Sequence, residues 1–484
     1  MPDLDDEKYI CFDCVREPFL TQLIGAQGKN VECSFCGETA NSITVDELAD
    51  RVETAFGHHY ERTSDQPNSW QYAMMKDRES SYEFERDGMP ILDAIQEAAG
   101  ISEEAATDVL EILGDRYAVH GSDWMGEETE FDGASYYEER NANPAAWHRD
   151  WDRFVDAVKT ENRFFSRAAS ELLTSVFADL DRLTTFQRRP LVVHAGPRGR
   201  IKHLYRARVF QSDEALTQAL NSPQKELGPP PSRHASAGRM NARGISVFYG
   251  ATGASVALAE VRPPVGSYVV VARFELMRKL RLLDLTALDL VRDEGSIFDP
   301  STLGRIERAA FLRTLGQRMT RPVMPDDEAL DYLPTQVAAD FLASQLSPSF
   351  DGIVFRSAQS KDGRNVVLFH HAAKVAASEH PPGTLMDASL GMSGEDGWET
   401  EYSVRVIRPA KSSRAHGLLR PETPLKPVSV EGMEEGFDET RGATLRLDET
   451  SMQVHVVNSV KVNSTSRSVD HFYWDAEARD EPEF

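Results

Sequence analysis

Residues 248–263 read FYGATGASVALAEVRP. A β-prone segment ending in Tyr249 passes through a short Gly-Ala-Thr-Gly turn into an Ala-Leu-Ala run of helical type, closed by Glu260. On a helix, Val256 and Ala257 lie directly beneath that carboxylate. Glutamate is seldom buried without a partner, so an acid that closes an apolar run raises the question of what it serves.

The same alternation of short β-rich runs with helices extends in both directions. Strands are predicted at Leu191 to His194, Leu204 to Phe210, Ile245 to Tyr249, Tyr268 to Phe274, Leu280 to Leu285, Ile353 to Arg356 and Val366 to Phe369. Helices are predicted in TLGRIERAAFLRTLGQRM and TQVAADFLASQL, and LGPPPSRHASAG reads as a Pro-rich loop. Regular βαβ alternation is missing, so the expected class is α+β. The region is delimited as 189–385.

Upstream, residues 45–188 carry helical periodicity. SITVDELADRVETAF has a Thr/Asp start and apolar positions Leu48, Val52, Ala55 and Phe56; shorter helices follow around Ile91 to Ile95 and from Ile101 to Leu113, with Gly114 as the stop. The longest helix is expected over WDRFVDAVKTENRFFSRAASELLTSVFADLDRL, with Trp151, Phe154, Val155, Val158, Leu172, Val176, Leu180 and Leu183 as a core stripe. The acidic segment 123–140 reads as a solvated loop. Downstream, GTLMDASLGMSGEDG reads as a flexible linker, and 386–484 as a β-rich extension with strands near Tyr402 to Ile407 and in MQVHVVNSVKVNS.

The chain of 484 residues is long for one core, and 40% apolar with 27% charged residues is the balance of an ordinary globular protein. Apolar runs such as YVVVARF are too short to cross a bilayer. The acidic start MPDLDDEKY lacks the basic and apolar segments of a signal peptide, which predicts a cytoplasmic protein without membrane attachment. A net charge of −25 argues against gripping nucleic acid along the chain.

All four cysteines precede residue 37: Cys11 and Cys14 in one CxxC, Cys33 and Cys36 in another, eighteen residues on. Two such knuckles present the four thiolates of a tetrahedral structural Zn²⁺ site, so residues 1–44 are expected to form a zinc ribbon too small to have its own core. A closed four-cysteine site leaves no open position for chemistry.

Four stretches, HLYRARVF, GRMNARGISVFYGATGASVALAEV, YLPTQVAADFL and FDGIVFRSAQSKDGRNVVLF, concentrate chemically useful residues in an otherwise acidic chain: Arg206 and Arg208 in the first, Arg239, Asn241, Tyr249 and Glu260 in the second, and Arg356, Ser357 and Asn365 in the last. Clustered guanidinium forks suit an anionic small molecule such as a phosphate ester. The order of Arg in YRAR, a Gly-Arg-x-Asn turn, a strand ending in Tyr, a helix carrying Glu and a Ser before GRNVVLF resembles the RES family. The two CxxC knuckles and the WDRFVDAVKTENRFF helix resemble the zinc-ribbon and HEPN-like module found ahead of some RES domains.

The resemblance implies an ADP-ribosyltransferase-like fold and a toxin enzyme that consumes NAD⁺ by cleaving its nicotinamide–ribose bond, with water or phosphate as acceptor. It assigns the family's arginine, tyrosine, glutamate and serine to Arg206, Tyr249, Glu260 and Ser357. Gly238-Arg239-Met240-Asn241 stands where the family commonly has Gly-Arg-Trp-Asn. Arg206 is expected on the pyrophosphate, Tyr249 beside the nicotinamide, Ser357 on ribose or amide, and Arg208, Arg239, Asn241 and Asn365 among the substrate contacts. An Xre-like antitoxin is the partner that the resemblance implies. Transfer of ADP-ribose to a macromolecule is an alternative outcome of the same cleavage. A different class of reading places ribonuclease chemistry in the N-terminal helices, where Arg51 with His58 or Arg189 with His194 have suitable spacing, or gives that module a regulatory binding role.

Overall fold

The computed structural model describes residues 7–77, 79–118, 128–394, 397–409 and 441–473. Within them the protein is a mixture of helices and of parallel and antiparallel strands. The chain forms two compact units: Met1–His194, Ser236–Ile245 and Leu280–Arg356 make the first, and Ala195–Ala235, Ser246–Lys279 and Ser357–Phe484 the second.

In the first unit, strand Thr39–Thr44 lies between Tyr9–Cys11 and Lys29–Glu32, with Ile10 opposite Ile43 and Lys29 opposite Ser42. Helix Val45–His59 follows at once, because Thr44 and Glu47 close a reciprocal capping box. Ile10, Leu20, Ile24 and Ile43 of the N-terminal strands and helix join Leu48, Val52 and Phe56 in one buried cluster. The small N-terminal part therefore shares an apolar core with the helices.

The region expected to be helical contains exceptions. Helix Glu103–Tyr117 runs through Gly114 instead of stopping there; the stop glycine is Gly100, left-handed at φ 62, which ends helix Ile91–Ala99. Tyr136–Glu139, inside the segment read as a solvated loop, is a strand between Tyr60–Arg62 and Met89–Pro90. Its acids masked an aromatic anchor: Tyr137 is buried against Phe56 and Phe131. Residues 123–127 of that segment lie outside the described residues.

The long helix is two, Ala145–Thr160 and Arg167–Val176. Phe165 turns left-handed at φ 59, and Ser166 caps the second helix by accepting the Ala169 N–H. Trp151, Phe154, Val158, Val176, Leu180 and Leu183 are buried as expected, whereas Val155 and Leu172 are half-buried and Leu173 takes the inward position. Helices Thr302–Thr320 and Leu333–Ser344 also belong to this unit, as does the parallel pair Leu280–Asp284 and Gly352–Arg356.

The second unit is built on antiparallel strands in the order Leu445–Val456, Tyr268–Leu276, His203–Phe210, Phe248–Ala251 and Arg364–Leu368. Tyr268–Leu276 is apolar at nearly every position, as a strand flanked on both sides requires. Strand Leu445–Val456 starts well before the MQVHVV run that announced it, and pairs from Leu445 opposite Leu276 to Val456 opposite Tyr268. The stretch read as a flexible linker holds strand Leu385–Ser389, paired with Ser403–Ile407, and strand Met392–Gly394. Residues 395–396 of it, and 410–440 and 474–484 of the extension, lie outside the described residues.

Candidate functional site

The four cysteines converge. Their sulfurs all lie within 4.8 Å of one another, with Cys11 Sγ 3.7 Å from Cys36 Sγ and Cys33 Sγ 3.8 Å from Cys14 Sγ. A tetrahedral zinc with Zn–S bonds of about 2.3 Å spaces its sulfurs about 3.8 Å apart, so the donor set fits that ion in number, chemistry and separation. Cys11 also donates its backbone N–H to Cys33 Sγ at 3.3 Å, a contact that favours the thiolate. Four thiolates would fill the coordination sphere of a tetrahedral ion and leave no open position on it.

In the second unit, strand Phe248–Ala251 ends where Thr252 donates its N–H to Arg364 O at 3.0 Å, and helix Ala254–Glu260 begins. Val256 and Ala257 are buried, and pack with Ala207, Ala251, Val269 and Val271 as the apolar side of that helix. Glu260 is the last helical residue and is half-buried. A carboxylate there faces the negative end of the helix and has no basic residue in the last turn to offset it.

Its partner is a hydroxyl. Ser357 Oγ donates to Glu260 Oε1 at 2.5 Å, and accepts the N–H groups of Gln359 at 3.1 Å and Ser360 at 3.0 Å. With both lone pairs occupied by backbone donors, the single hydroxyl proton is directed at the carboxylate. No cation forms an ion pair with Glu260 among the described residues, so its charge is held without being neutralised. Arg262, the obvious local candidate, instead directs Nε and Nη2 at the Gln359 side-chain oxygen, at 3.1 and 2.8 Å with the amide turned oxygen-inward.

Arg206 and Arg208 lie two apart on strand His203–Phe210 and so share a face. Arg206 donates to Tyr249 O at 3.3 Å and stands 4.9 Å over the Phe248 ring; Arg208 donates to Gly228 O at 3.0 Å. Burial, and then the neighbouring Arg208 charge, push the Arg206 guanidinium down to about 9, and burial likewise lowers Arg208. Neither forms an ion pair with a carboxylate among the described residues. Both are half-buried, Arg208 also feels the Glu226 carboxylate, and two guanidinium groups side by side without an ion-paired carboxylate favour an anion by their charge.

The expected residues are not all in contact. Tyr205, Ala207 and Val209, alternating with the arginines, pack toward helix Ala254–Glu260, so Arg206 and Arg208 occupy the other face of their strand. Tyr249 and Asn365 belong to the face of Ala251, by the registers Ala251↔Asn365 and Tyr249↔Val367; Tyr249 is half-buried and Asn365 buried. Ser357 touches Glu260 directly, where the resemblance implied a substrate contact.

Arg239 and Asn241 are in the first unit. Asn241 Nδ2 donates to Ser236 O, Ala242 O and Ile245 O, folding its own loop, and Gly238 and Asn241 bridge each other. Arg239 lies 4.9 Å over Tyr332, and Met240, in place of the family's tryptophan, is buried. Sequence reasoning singled out the YLPTQ stretch without naming its purpose: Thr335 Oγ1 donates to Arg239 O at 2.6 Å and Gln336 Nε2 to Gly238 O at 2.8 Å, pinning the turn. It missed Gln359 altogether, since nothing local distinguishes that glutamine from a solvated one.

Of the pairs considered for ribonuclease chemistry, Arg189 forms an ion pair with the buried Asp284 at 3.5 Å, and His194 lies on strand Val192–Ala195. Arg51 and His58 both lie on helix Val45–His59. Residues 203–390 match the family model of the RES domain, and residues 26–171 match that of HEPN/RES N-terminal domain 1. No curated protein and no solved structure matches the chain.

Proposed function

For a chain that carries a RES domain behind a HEPN/RES N-terminal domain, and so falls in a toxin-related, NAD-utilising family, we propose cleavage of the nicotinamide–ribose bond of NAD⁺. The observation that carries this reading is Glu260, fixed by Ser357 Oγ at 2.5 Å and not neutralised by a cation among the described residues. As the C–N bond breaks, its electron pair moves to the ring nitrogen and discharges the pyridinium, while positive charge develops on the ribose. A fixed carboxylate beside that sugar stabilises the charged state more than the ground state, which lowers the barrier. Water or phosphate then attacks the anomeric carbon and gives up a proton, leaving ADP-ribose or its 1-phosphate.

In this reading Tyr249 lies beside the nicotinamide, Asn365 contacts substrate and Ser357 acts by orienting Glu260, while Arg206 and Arg208 hold the pyrophosphate where strands His203–Phe210 and Phe248–Ala251, paired through Tyr205 and Ala251, part from each other. The zinc ribbon supports the fold and takes no part in the chemistry. The physiological setting proposed is a toxin or defence effector, restrained by a partner such as an Xre-like antitoxin. The test is to incubate the protein with NAD⁺, with and without phosphate, and follow free nicotinamide and the phosphate-dependent product by mass. Wild type is expected to release nicotinamide and Glu260→Gln to lose most of that activity; equal release from both sinks the assignment. A mass increment on a macromolecule in place of free ADP-ribose would identify a transferase.

A further inference from the structure

Helix Ala254–Glu260 ends in a way that sequence preference does not favour. Val261 is its cap, and Arg262, the next residue, sits in the left-handed region at φ 44, the position that glycine or asparagine normally fills. A bulky residue held there signals that its surroundings over-determine it. Arg262 donates its backbone N–H to Ala259 O at 3.2 Å, and its exposed side chain makes a fork on Gln359, in the loop between Ser357 and Gly363.

That loop is pinned at three further points. Ser357 donates to Glu260; Ser357 N–H donates to Gly363 O at 2.9 Å, and Gly363 N–H to Ser360 O at 3.1 Å. Gly363 lies against the helix, where a Cβ would come within 2.8 Å of Val256 Cγ1 and 2.9 Å of Ser360 Cβ. The loop is thus seated on the helix at its glycine end, tied to the carboxylate at its serine end, and clasped between them by Arg262.

We propose that Arg262 and Gln359 form a latch that keeps loop 357–363 closed on helix 254–260, and through Ser357 keeps the Glu260 carboxylate in its working rotamer. Both are positioning residues that act on Glu260 through the loop. The inference rests on the NAD⁺-cleaving reading for its catalytic consequence, while the latch itself is a statement about the fold.

Arg262→Gly separates the two consequences, because glycine suits the left-handed backbone and removes only the fork. The expected result is a Tm equal to or above wild type, faster hydrogen exchange at the amides of Gln359, Ser360 and Gly363, and a kcat for nicotinamide release lower by about tenfold or more with KM for NAD⁺ within about twofold. Gln359→Ala should repeat the loss, and Gln359→Glu, which keeps an acceptor for Arg262, should restore most of it. Unchanged exchange over 357–363 in Arg262→Gly, or a kcat within about twofold of an active wild type, overturns the latch. Wild type that releases no nicotinamide would sink the proposed function instead, and leave exchange to decide the latch.

Discussion

The contact between Ser357 and Glu260 lends itself to a double-mutant cycle. Ser357→Ala removes a hydroxyl that donates to a charged carboxylate at 2.5 Å, and hydrogen bonds to charged groups contribute about 1.5–3 kcal/mol. Taking about 2 kcal/mol for the loss of orientation in the transition state, kcat should fall about 30-fold at 1.36 kcal/mol per decade. Glu260→Gln keeps the shape and an acceptor oxygen but removes the charge, at an expected cost of about 10²–10³ in kcat, comparable with the loss of one preorganised polar group in an active site. In that background the hydroxyl meets a neutral amide, so removing it should cost only about 1 kcal/mol, about fivefold. The double mutant is then less impaired than the product of the two single losses by about 1 kcal/mol. The assay is initial-rate release of nicotinamide at saturating NAD⁺, with melting curves to exclude unfolding. Strict multiplicativity of the two losses would show that Ser357 does not act through Glu260, and an unaffected Ser357→Ala would refute the reasoning outright.

The remaining expectations concern other parts of the molecule. The protein should purify with one equivalent of zinc by metal analysis, and Cys14→Ser or a strong chelator should release it and lower the melting temperature of the first unit; metal-free protein with unchanged melting would contradict a structural centre. Arg206 must be cationic to hold pyrophosphate, and burial depresses its folded value, so binding should be intact below about pH 9 and be lost as pH rises through it. KM for NAD⁺ measured between about pH 7 and 10 should climb at the alkaline end in wild type and be high throughout in Arg206→Met, and a flat wild-type profile would count against the role. Deleting residues 441–484 strips strand Leu445–Val456 from Tyr268–Leu276, leaving the backbone of a strand rich in buried valines unpaired at an edge. The shortened protein should aggregate or lose its cooperative melt, and a soluble product with the wild-type Tm would show that the added strand is dispensable.

Periodicity and punctuation carried much of this far without coordinates. The capping box at Thr44 and Glu47, the β-branched run of Tyr268–Leu276 and the paired CxxC knuckles each specify local structure by themselves, because capping, strand packing and thiolate geometry act over a few residues. Val256 and Ala257 fell beneath Glu260 as helical spacing required. The errors have local causes too. Asn162 to Ser166 carried enough aromatic character to conceal a break at Phe165, and acids around Tyr137 concealed a buried strand.

What the sequence determined, then, was where the candidate carboxylate sits on its own element and which soft ligands gather at the N-terminus. Only the tertiary structure decided that Glu260 is answered by Ser357, ninety-seven positions away, and that Arg262 turns from it to Gln359. It also decided that Arg206 and Arg208 take the strand face opposite the helix. The physical reason is that a side chain's partner depends on which loop the fold returns to its neighbourhood and on a two-residue strand parity. Helical and strand periods encode burial, and carry no information about which distant hydroxyl or carbonyl completes a hydrogen bond.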